Sequence, residues 1–133
     1  MRVRTALALC ALVCAGCATT PGGMRGDPEA KRVMIIEVGY QTALKRLVDW
    51  QAECVMGPLV PIGQVINDVQ HYSDIRSASI VRGAMGIGTQ ITEVIDLREI
   101  APGRTEMTFY AKASLDKRAA AQRRIAEGDS RCP

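Results

Sequence analysis

The chain has 133 residues, 47% hydrophobic and 23% charged, with a mean hydropathy of +0.03. This balance excludes wholesale disorder and leaves room for one domain. Lys and Arg number 17 against 14 Asp and Glu, for a net charge of +3; Arg2 and Arg4 stand at the extreme N-terminus, so the remainder is close to neutral and exerts no general pull on nucleic acid.

Arg2 and Arg4 precede an unbroken apolar run from Ala6 to Ala15. Basic residues followed by a short hydrophobic stretch form the secretory pattern, and the run falls short of the roughly 20 residues a membrane span needs. It ends in Cys14-Ala15-Gly16-Cys17, which resembles the lipobox of bacterial lipoprotein precursors. That family places an aliphatic residue, a small residue, Gly or Ala, and then the lipidated Cys. Ala15, Gly16 and Cys17 follow the pattern, whereas Cys14 stands where Leu is usual.

The resemblance implies that residues 1–16 are a signal peptide, that Cys17 accepts diacylglycerol on its sulfur, and that its new amine is acylated, for instance with palmitate. Several acyl chains on one residue hold a protein stably at a membrane. Ala18 is not the Asp that marks inner-membrane retention, so the resemblance points to the outer membrane of a Gram-negative cell, facing the periplasm. An ordinary signal peptide cleaved near Ala18, releasing a soluble secreted protein, also suits these small residues.

Residues 17–31 then read as the acylated Cys and a flexible tether, since 18–31 hold two Pro and three Gly with almost nothing to bury. Residues 32–133 read as a single periplasmic domain. Of the five Cys, Cys10 and Cys14 leave with the leader and Cys17 carries lipid. Cys54 and Cys132 remain as an even pair in an oxidising compartment, and a bridge between them would contribute about 4 kcal/mol in the chain-entropy model. The competing reading, a catalytic or metal-binding thiol, lacks a second Cys or His near either residue in sequence.

In the domain, Val33 to Val38 is a short β-branched run that predicts a strand, broken by Gly39. From Tyr40 to Cys54 the apolar period becomes helical, with Tyr40, Ala43, Leu44, Leu47, Val48, Trp50 and Cys54 on one side. Val55 to Gly63, with Pro58 and Pro61, reads as a loop. Strands are expected over Gln64–Tyr72 and Ser77–Ala84. The clearest strand pair is Gln90–Ile100 with Thr105–Ala113, flanking Pro102-Gly103. A three-residue loop would pair Leu97 with Phe109, Ile95 with Ala111, Glu99 with Met107, Arg98 with Thr108 and Asp96 with Tyr110. A two-residue loop would set Leu97 against Thr108 and mix the faces, so the longer loop, with Gly103 at positive φ, is expected. Ser114 suits an N-cap for a last helix from Leu115 to Glu127, ended by Gly128.

The expected fold class is therefore α+β: an antiparallel sheet of about four strands with two helices on one face, in the order β-α-β-β-β-α. In topology and in its two flanking Cys the domain resembles small outer-membrane lipoproteins of unknown or accessory function.

No chemical constellation is readable. Gly83 to Gly88 lacks the following helix and Lys of a phosphate loop and reads as a turn or bulge. His71, the only histidine, has no partner motif and reads as a surface or strand-edge residue. The methionines are scattered, which argues against a soft-metal site. Glu93 shares a face with Ile91, Ile95 and Leu97, and reads as a sheet-margin carboxylate or the partner of a Lys or Arg rather than an acid catalyst. Lys117, Arg118, Arg123 and Arg124 spread around the last helix as a solvated face. Few aromatics argue against a platform for sugars or nucleic acid. The expectation is a non-enzymatic accessory or structural lipoprotein without cofactor or metal. Its partners would be the membrane, through its anchor, and an envelope protein. The alternative is a module holding a small apolar ligand or lipid between the sheet and the first helix.

Overall fold

A computed structural model describes residues 19–55, 64–86 and 88–133. The leader, Cys17 with its lipobox, and most of the loop expected over Val55–Gly63 lie outside the described residues. The elements are α1 (Pro21–Arg25), a 3-10 turn (Pro28–Ala30), β1 (Lys31–Ile36), α2 (Tyr40–Cys54), β2 (Gln64–Tyr72), β3 (Ser77–Gly86), β4 (Gly88–Ala101), β5 (Arg104–Tyr110) and α3 (Leu115–Glu127). The class is α+β, with a five-stranded antiparallel sheet in the order β1-β5-β4-β3-β2. The expected order β-α-β-β-β-α is one strand short after α2, where four strands follow, and β1 closes the sheet beside β5.

Strand alternation sends Ile36, Ile80, Ile95, Leu97, Met107 and Phe109 to one face, where Ala43 and Leu47 of α2 and Ala119, Ile125 and Ala126 of α3 cover them. Both helices span the expected residues. Ser114 occupies the N-cap position of α3 with φ 52° and makes no side-chain capping bond, while the Gly128 amide closes the helix on the Arg124 and Ile125 carbonyls.

The segment expected to be a tether is folded from Pro21 onward. Thr20 caps α1 through its hydroxyl, which accepts from the Gly23 amide, and Asp27 caps the 3-10 turn through the Glu29 amide. Met24, 1% exposed, packs with Val81, Ile91, Val94 and Tyr110 on the sheet face opposite the long helices. The Pro and Gly that read as flexible sit in two short turns held by these caps, and one large apolar side chain is enough to dock them. The domain therefore starts about ten residues before position 32.

The β4–β5 register is corrected as well. Leu97 pairs with Met107, Ile95 with Phe109, Asp96 with Thr108, Arg98 with Glu106 and Glu99 with Thr105. The loop has two residues, since Ala101 pairs with Arg104, and Gly103 has φ 72°. Ile100 is left unpaired as a bulge, and that extra residue restores the alternation that a two-residue loop alone would have broken. Leu97 and Phe109 still share the buried face, now as diagonal neighbours.

A second bulge lies in the β3–β4 ladder, where Arg82 pairs with Glu93 and Gly83 with Ile91, leaving Thr92 over. The Thr92 hydroxyl donates to the Arg82 carbonyl at 3.3 Å. Only Gly fits at 83, because a Cβ there would stand 2.2 Å from the Gln90 carbonyl oxygen. The bulge flips the strand, so Ile91 joins Val94 and Met24 on the α1 side while Glu93 stays under the helices. Ile91 and Glu93 thus occupy opposite faces, contrary to the period-2 expectation.

Candidate functional site: a disulfide-closed groove over a buried ion cluster

At the helical side of the domain, Cys54 ends α2 and is bonded to Cys132 across 78 positions, with the two Cα atoms 5.3 Å apart, an unstrained spacing for a disulfide. The bond lays residues 129–133 along the helices. Trp50, one turn before Cys54, donates its indole N–H to the Arg131 carbonyl at 3.1 Å, and the Arg46 guanidinium donates to the Ala126 carbonyl at 3.0 Å. The first bond holds the C-terminal segment against α2, and the second ties α2 to the last turn of α3.

Between that segment and the two helices lies a groove of about 480 Å³, lined by Trp50, Arg118, Gln122, Ile125 and Arg131 among others. A smaller recess of about 260 Å³ is lined by Asp49, Trp50, Glu53 and Ser130. Arg131 donates two hydrogen bonds to Asp129 at 2.8 Å, and this pairing holds the Asp129 carboxyl well below the usual carboxylate range. Arg118, Arg124 and Arg131 border the groove, Arg131 paired with Asp129 on its rim.

Beneath the groove, Arg82 of β3 and Glu93 of β4 face each other across the ladder, both nearly fully buried, with Nη1 2.8 Å from Oε1. Arg118 of α3 reaches down to the other oxygen of Glu93 at 2.6 Å and stacks over the Phe109 ring at 5.9 Å. Arg82 also donates to the Gln122 side chain at 3.1 Å and to the Leu47 carbonyl at 2.8 Å. One cluster therefore ties the sheet to both helices. Each oxygen of the Glu93 carboxylate accepts from one guanidinium, so the cluster acts as a structural tie.

The expected readings divide accordingly. Glu93 is an Arg partner, but in the interior rather than at the sheet margin. Arg118 is not part of a solvated face, since it turns inward; Arg123 pairs with Glu127 on the surface as expected. His71 is exposed on the edge strand β2, with Nε2 3.1 Å from the Tyr40 hydroxyl. The Gly83–Gly88 stretch holds a bulge and a hairpin end. Among the described residues no three His, Cys, Asp or Glu side chains converge on a metal-sized site, and no helix is long and apolar enough to cross a membrane.

Sequence reasoning missed Arg82 and Arg25. Arg82 follows Ala78 and Ile80 at period 2, and that spacing was a signal that it faces the helices. Arg25 falls in the expected tether, yet it clamps Asp96 through two bonds of 2.8 Å and reaches the Ser79 hydroxyl at 2.8 Å. No family model and no curated protein sequence matches the chain.

Proposed function

We propose that this chain is an envelope lipoprotein, exported and anchored through acylated Cys17, whose domain serves a non-enzymatic accessory role by offering the disulfide-closed groove to a protein partner. The observation that carries the reading is the groove itself. It combines a half-buried Trp, an apolar floor and three arginines, the residue types that concentrate binding energy at protein interfaces. The arginines along its wall suit acidic side chains of the partner. The Cys54–Cys132 bond supports export, because disulfides persist in oxidising compartments.

The partner reading is preferred over a ligand held between the sheet and α2, because Ile36, Leu47, Ile80, Ile95, Leu97 and Met107 fill that space with side chains essentially unexposed. Two measurements test the proposal. Cys17→Ser should abolish acyl labelling and leave uncleaved precursor; normal processing to a soluble product would replace the lipoprotein reading with ordinary secretion. A photo-crosslinking side chain at Ala121, on the groove wall, should give a discrete protein adduct in cells that Trp50→Ala abolishes. Adducts unchanged by that substitution would remove the groove from the reading.

A further inference from the structure

We infer that the sheet face carrying α1 lies against the lipid surface and that the α2–α3 groove is turned away from it. The inference rests on the anchoring of Cys17 proposed above, joined to an observation independent of it: the chain is already held against the domain at Thr20. The Thr20 hydroxyl and carbonyl already accept from Gly23 and Met24 at 3.0 Å, and Met24 is buried against the sheet. Three peptide units separate Cys17 from Thr20, so their Cα atoms can stand at most about 10 Å apart. A fourteen-residue flexible tether would have allowed any orientation; this link does not.

The geometry of the layers then decides which surface faces the bilayer. The link joins the side of the sheet covered by α1. The helical layer lies on the other side, and a helix with its side chains is about 10 Å across. The outer surface of α2 and α3 is therefore separated from the link by the sheet and a full helix, beyond the reach of about 10 Å.

The chemistry of the α1 face agrees. It carries two cross-element ion pairs, Arg25 with Asp96 at 2.8 Å and Arg98 with Glu106 at 2.9 Å. Beside these pairs, Tyr72 and Val33 are 44% and 52% exposed. An amphipathic Tyr ring beside apolar surface is the kind of residue that sits well at a lipid–water boundary. A recess of about 420 Å³ between Arg25, Tyr72, Asp96 and Tyr110 gives headgroups room to enter.

The test uses the acylated full-length protein in vesicles of phosphatidylethanolamine and phosphatidylglycerol containing a lipid with a headgroup nitroxide quencher. Fluorophores are placed on Val33→Cys, on the α1 face, and on Ala120→Cys, exposed on α3, with the native disulfide intact. Quenching should be severalfold stronger at position 33 than at 120. Inserting about 20 Gly/Ser residues between Ala18 and Thr19, with an r.m.s. span of about 25 Å, should erase most of the difference. Equal quenching with the native link, or stronger quenching at 120, overturns the orientation. Protein that carries no acyl mass and does not float with the vesicles overturns the anchoring reading instead, before any quenching is compared.

Discussion

The two faces of the sheet are covered by different means. On one, α2 and α3 supply 28 helical residues whose apolar positions recur every three to four, and they bury a core that includes Leu47, Leu97, Met107 and Phe109. On the other, a five-residue helix lays down Met24, and ion pairs such as Arg25 with Asp96 and Arg98 with Glu106 occupy the surface around it. Burial can thus be achieved by long amphipathic periodicity or by a single docked side chain. Only the first leaves a pattern in the sequence, because a segment of five residues is too short to show a period of 3.6.

The largest effect expected from breaking this contrast is at Glu93. Glu93→Ala would leave Arg82 and Arg118 without their carboxylate under the helices, at a cost of about 3 to 5 kcal/mol in chemical denaturation. A loss below about 1 kcal/mol would mean that the cluster does not tie the helices to the sheet.

Leu97→Ala and Met24→Ala compare the two faces directly. Both side chains are 1% exposed, and each truncation should cost about 2 to 5 kcal/mol. A Met24→Ala variant as stable as the parent would show that residues 21–30 are detached in solution and would restore the tether reading. Arg25→Ala should cost less, about 1 kcal/mol at most, because its pair with Asp96 is about one-third exposed. Its effect should also weaken in high salt, unlike that of Met24→Ala. Arg98→Ala, removing the more exposed pair with Glu106, should stay within about 0.5 kcal/mol. A larger loss there would place Arg98 in a contact the ladder does not provide.

Pattern and composition determined the two long helices to the residue, the antiparallel sheet, the shared buried face of Ile95, Leu97, Met107 and Phe109, and the pairing of Cys54 with Cys132. Each depends on local periodicity or on simple counting, which one chain contains in full. Tertiary structure alone decided the rest. The bulges at Thr92 and Ile100 each insert a residue that alternation cannot reveal, so the pairing of Leu97 and the face of Ile91 depended on contacts across the ladder. The burial of Arg82 depended on Glu93 and Arg118 arriving from two other elements, because a charge leaves water only where its partners are already in place. Met24 was decided in the same way: a lone apolar residue among Pro and Gly carries no sign of burial until a sheet face with a vacant apolar patch comes to meet it.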